Sequence, residues 1–218
     1  MTMTRMTEGL LQAERLTFHF PHHALFTDWT AQFGPGVGLV RGGDGSGKST
    51  LLRLLAGALA PQSGRLVLNG ADLALDPLAY RAQVFWCDPA DEALDGLGAR
   101  DYLALRQSQH PAWEAAVLAE DLEALGLLPH LDKPLYALST GTRRKLRLAA
   151  GLASGAPLTL FDDPLAALDL RSADYVLDRL DDCADSTGRV VIVAHHAALD
   201  GVPLATLVDL PGDGSASS

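Results

Sequence analysis

An α/β fold with a mostly parallel sheet, interrupted by an inserted helical subdomain, is what this 218-residue sequence predicts. Three observations point there. Continuous apolar runs at 82–86, 158–161 and 190–194 suit strands buried on both faces. A glycine-rich loop at 42–49 lies between a short apolar run and a leucine-rich stretch of helical period. Residues 88–153 are rich in Ala, Leu, Glu and Arg and read as several helices set between strands.

The elements follow in order. Residues 1–9 and 211–218 are polar or small at both ends and read as disordered termini. Residues 14–20 and 37–41 are short strand candidates. Residues 48–58 form a helix candidate, with leucines at 51, 52, 54, 55 and 59 on helical spacing. Pro61 and Gly64 close it, and 65–68 enters a turn at Asn69-Gly70. The helical stretch breaks at Pro111, Gly126, Pro129 and Pro134. Residues 10–210 therefore make one cassette, with the helical subdomain at about 88–153 and no internal repeat.

Composition narrows the function. Seventeen basic against twenty-seven acidic residues give a formal charge of −10, which argues against nonspecific nucleic-acid binding. Cys87 and Cys183 make neither a disulfide framework nor a metal cluster, and both read as reduced thiols of a cytosolic protein. No apolar run reaches the ~20 residues that span a bilayer. The polar, threonine-rich start lacks the apolar stretch of a secretory signal.

The run Gly42-Gly43-Asp44-Gly45-Ser46-Gly47-Lys48-Ser49, followed by Thr50 and the leucine-rich helix, fits a phosphate-binding loop in residues and context. Its glycines leave room for backbone N–H groups to surround phosphates, and the helix presents its positive N-terminus to the same anion. Lys48 is placed to reach the β/γ-phosphates of ATP, and the Ser49 hydroxyl to take one Mg²⁺ position. His22-His23 has no supporting ligand cluster and reads as surface. His195-His196 argues against a metal pair, because adjacent strand residues face opposite ways.

Further along stand Leu138-Ser139-Thr140-Gly141-Thr142, then Arg143-Arg144-Lys145-Leu146-Arg147, then Leu158-Thr159-Leu160-Phe161-Asp162-Asp163-Pro164. Leu165-Ala166-Ala167-Leu168-Asp169 and Val191-Ile192-Val193-Ala194-His195 complete the series. In order and spacing these resemble the signature motif, Walker B, D-loop and switch histidine of the ATP-binding cassette (ABC) ATPases, over roughly residues 10–210. The resemblance implies the ABC ATPase fold, a P-loop core with an N-terminal antiparallel β portion. It also implies that Asp162 holds Mg²⁺ through water, Asp163 polarises the attacking water and His195 holds the γ-phosphate. Ser139 and Gly141 would complete the site on a partner protomer, Asp169 would lie at the dimer seam, and Phe20 would stack on adenine. Bland readings stand beside these: a solvated Asp163, an ordinary core Phe20, and a solvated face for the basic residues after Gly141.

Three departures from the family pattern stand out. Cys87, ahead of Asp88-Pro89, replaces a glutamine, and a thiol is a poor ligand for a hard cation. Asp163 replaces a glutamate and is shorter by roughly 1.5 Å of reach. Thr140 and Thr142 replace a glycine and a glutamine. Intact binding with slow turnover is the expectation. The resemblance implies a subunit, peripheral on the cytoplasmic face of the cell membrane, that energises a separate transmembrane permease. It works as a homodimer or heterodimer, and the compact size leans towards exporter-type systems. Residues 97–103 resemble the segment that opens the helical lobe docking on the permease. The alternative is a non-transport ABC ATPase acting as an ATP-gated clamp, which usually carries a coiled coil or a second cassette.

Overall fold

The computed structural model describes residues 10–21, 23–86 and 93–211. Cys87, Asp88, Pro89, His22 and the terminal stretches 1–9 and 212–218, on which several sequence expectations fall, lie outside them. The chain opens with an antiparallel hairpin, β1 (Leu11–Phe20) and β2 (His23–Phe33). β3 (Gly36–Arg41) runs into α1 (Lys48–Leu55), and β4 (Ser63–Leu68) and β5 (Ala71–Asp72) return beside the hairpin. After α2 (Pro77–Arg81) and β6 (Val84–Trp86) come α3 (Ala99–Gln109), α4 (Ala115–Ala124) and α5 (Thr140–Ala153). β7 (Leu158–Asp162), α6 (Leu170–Ala184), β8 (Val190–His195) and β9 (Thr206–Asp209) complete the order.

Two sheets result. The antiparallel one has the order β2-β1-β4-β5, and the second has the order β6-β7-β8-β3-β9 with every pairing parallel. The alternation of side chains along each strand separates two cores. Val37, Leu39, Val191 and Val193 face one way and pack with α3, α4, α5 and α6. Val40, Val190, Ile192 and Ala194 face the other and pack with the leucines of α1 and with β1, β2 and β4. The all-apolar strands are thus covered on both faces, which is why they read as uninterrupted hydrophobic runs. Gly38 in β3 admits the ring of Phe33, since a Cβ there would lie 2.9 Å from it.

Local chemistry sets the boundaries. Asn69 (φ 49°) and Gly70 (φ 79°) are both left-handed, the geometry of a tight hairpin turn between β4 and β5. α1 ends at Leu55, short of the expected residue 58. The chain turns left-handed at Gly57 (φ 67°), where Arg81 Nε donates to the Gly57 carbonyl and the Tyr80 hydroxyl to that of Leu55. The strand expected at 82–86 starts at Val84, because α2 and its C-cap Ala82 take the residues before it. β2 and β9 were not expected. Arg189 ties the helical layer to the sheet: its buried guanidinium donates to the carbonyls of Leu152 (2.8 Å) and Gly151 (2.5 Å) at the end of α5, and to Thr159 Oγ1 (2.9 Å).

Candidate functional site

The site forms at the C-terminal ends of three neighbouring strands, β7, β8 and β3. Strand register sets Arg41 against His195 and Ala194 against Asp162. Beyond it the backbones stay joined, with the Asp163 N–H donating to the Ala194 carbonyl (2.9 Å) and the Gly42 N–H to that of His195 (3.4 Å). Crevices outside the carboxyl ends of parallel strands are where open α/β sheets bind ligands.

From β3 the chain enters the glycine-rich loop. Gly42 must lack a Cβ, which would collide with the buried Ser46 hydroxyl. Gly45 (φ 77°) and Gly47 (φ 92°) are left-handed, and Gly47 is the N-cap of α1. Leu25 of β2 packs on Gly47, where an added Cβ would come within 2.8 Å of it. Lys48 Nζ donates to the carbonyls of Gly42 (2.8 Å) and Gly43 (2.7 Å), holding the ammonium over the loop. The cleft in front brings Lys48, Ser49 and Thr50 together with Asp162, Asp163 and His196, over a floor that includes Asp44, Gly45 and Gly47.

Asp162 ends β7 half-buried, while Asp163 adopts φ 48°, a left-handed conformation that aspartate tolerates better than most residues. The buried Asp163 Oδ1 has no hydrogen-bond partner among the described residues, and His195 Nε2 lies 3.5 Å away. His195 is buried, its Nδ1 3.2 Å from both the carbonyl and the N–H of Ala197. The expectation that His195 and His196 face apart fails. β8 ends at His195, the chain bends at His196, and the two rings lie 4.3 Å apart at 38°. It is the exposed His196 that lines the cleft, a residue that strand alternation had turned away from it.

The remaining predicted residues lie elsewhere. Ser139 caps α5, its hydroxyl accepting from the Thr142 N–H (3.1 Å) and pairing with Thr142 Oγ1 (2.8 Å). Neither Ser139 nor Gly141 lines the cleft. Gly141 lies against the loop after β7, where a Cβ would come within 2.7 Å of the Ala167 carbonyl. The solvated-face reading of the basic residues is corrected. Arg143 pairs with Asp95 (2.8 Å), Arg144 donates to the Ala166 carbonyl, and Lys145 pairs with Asp169 (2.6 Å). Asp169 also caps α6 at the Ser172 N–H (3.0 Å). Lys145, with the Ser172 amide and hydroxyl, holds the Asp169 carboxyl far below the usual carboxylate range. Phe20 stands 47% exposed at the end of β1, edge-on to Phe18, outside the cleft lining.

Residues 27–166 match the protein family described as ABC transporter. The "Cytochrome c biogenesis ATP-binding export protein CcmA" of Pseudomonas savastanoi pv. phaseolicola is 33% identical over 187 residues, covering 85% of this chain and 88% of its own. The protein of that name from Rhodospirillum rubrum is 36% identical over 188 residues, covering 86% and 79%. The solved "ATP binding subunit of ABC transporter" superposes with a TM-score of 0.72 at 21% identity, over 86% of this chain and 79% of that one, a likeness of fold.

Proposed function

The chain belongs to the ABC transporter family as an ATP-binding subunit that energises transport, and we propose that it does so by hydrolysing ATP to ADP and phosphate in a nucleotide-sandwich dimer coupled to a separate permease. The observation that carries this is the convergence of Lys48, Ser49, Asp162 and Asp163 on one cleft at the ends of adjacent strands. Loop N–H groups and the N-terminus of α1 bind the phosphates, and Lys48 trades its contacts with the Gly42 and Gly43 carbonyls for the β/γ-phosphates. Ser49 and Asp162, which both line the cleft, offer hard oxygen donors, the donor type Mg²⁺ takes; when bound, that ion neutralises phosphate charge. Asp163 accepts the proton of the attacking water. His195 Nε2, 3.5 Å from Asp163 Oδ1, orients that water and the γ-phosphate.

Ser139 and Gly141 stand outside the chain's own cleft, so they serve the cleft of a second subunit, either another copy or a related chain. Asp169, exposed at the start of α6, belongs to the same seam, and Phe20 is the adenine platform. No helix among the described residues is long and apolar enough to cross a membrane, and we place the chain on the cytoplasmic face of the cell membrane. The relatives' name as export proteins favours outward transport. Lys48→Ala removes the charge facing the phosphates and should abolish tight binding of a fluorescent ATP analogue. Unchanged affinity would sink the phosphate-loop assignment. Membranes solubilised in detergent should yield the chain together with a permease.

A further inference from the structure

We propose that Asp163, His195 and His196 form a binding site for a borderline divalent transition-metal ion of the Zn²⁺ type, distinct in donor chemistry from the Mg²⁺ position at Ser49 and Asp162. The carboxylate and two imidazoles each offer one ligand atom, and all three atoms lie within 4.8 Å of one another. Asp163 Oδ1 and His195 Nε2, 3.5 Å apart, are too distant for a good hydrogen bond. Their separation is close to the edge of a tetrahedron about a zinc ion, about 3.3 Å for bonds near 2.0 Å.

Three further features suit a metal. Asp163 Oδ1 is buried and has no hydrogen-bond partner among the described residues, so a carboxylate oxygen with its lone pairs unused faces His195 Nε2. His195 Nδ1 lies 3.2 Å from the Ala197 carbonyl. Nδ1 lies equally close to the Ala197 N–H; the tautomer that donates Nδ1–H to the carbonyl leaves Nε2 bare, and an ion bound at Nε2 selects that tautomer. The bend after β8 brings the His196 ring alongside that of His195 and into the open cleft, which gives an ion a path in and water a fourth coordination position. Two imidazoles with one carboxylate favour zinc and its neighbours over Mg²⁺, which takes oxygen. The site uses the carboxylate assigned to water activation, so an ion there excludes productive hydrolysis and acts as a brake. The metal site itself rests on side-chain geometry alone and holds whether or not Asp163 activates water.

Co²⁺ is the probe, titrated into the full chain and followed by visible absorption, with Zn²⁺ displacement as the second readout. The wild type should bind one Co²⁺ with the intense bands of tetrahedral coordination and without a thiolate charge-transfer band. His196→Ala, an exposed position, and the isosteric Asp163→Asn should each weaken binding by about tenfold or more. Circular dichroism of both variants separates ligand loss from misfolding. Weak bands of a six-coordinate ion in the wild type, bands that survive both substitutions, or a thiolate band from Cys87 or Cys183 would each overturn the proposal.

Discussion

Asp163 is held at φ 48° by the hydrogen bond from its N–H to Ala194, and its side chain is directed at His195 from that fixed backbone. Reach is therefore set by side-chain length rather than by loop movement. Asp163→Glu adds one methylene, roughly 1.5 Å, and should raise kcat while leaving KM nearly unchanged, the pattern of an interaction made mainly in the transition state. The left-handed backbone suits Glu less well and costs about 1 kcal/mol of stability. Steady-state ATPase assays with a thermal melt check both effects. A flat or lower kcat would mean that the cleft is already shaped for the shorter acid. Most residues lining the cleft were legible in the sequence because their motifs supply their own backbone geometry: glycines for the loop and a buried strand ending in Asp162. His196 was not. Alternation holds only inside a strand, and β8 stops one residue earlier.

At the scale of elements, the helical layer depends on Arg189. Its guanidinium satisfies carbonyls at the C-terminal end of α5 and reaches Thr159 in β7, so it ties the far end of the helix that Ser139 opens to the strand that ends in Asp162. Burial pushes its pKa down, yet the carbonyls at the end of α5 give the cation its partners. Arg189→Met keeps the volume and removes those donors; the Gly151 carbonyl keeps its bonds from Ser154, but the buried Leu152 carbonyl and Thr159 hydroxyl lose the guanidinium, at a cost of about 3 kcal/mol. Urea denaturation should show the midpoint fall with little change in slope; a variant as stable as wild type would show that water replaces the lost donors. The buried strands and the helical stretch were readable from apolar runs and period. β2 was hidden by its irregular pairing with β1, which displaces Phe26 from the alternation of Trp29, Ala31 and Phe33 around the left-handed Asp28. β9 has four residues on the sheet edge, with Leu207 exposed, and carries too little pattern to be seen.

For the whole molecule, the position of the signature motif decides the account. Ser139 and Gly141 head a long helix with basic residues engaged by the chain's own Asp95, Ala166 and Asp169, yet the cap itself stays exposed and outside the cleft. A helix N-terminus turned outward favours an anion, and the proposed sandwich supplies one from another subunit. The net charge of −10 opposes self-association, and the proposed pairing therefore relies on nucleotide for its attraction. The most direct test is the light-scattering mass of Asp163→Asn eluting from gel filtration. Without nucleotide the mass should be that of one 23.0 kDa chain, and saturating Mg-ATP should double it. A single-chain mass with ATP demonstrably bound would contradict pairing of two copies through Ser139.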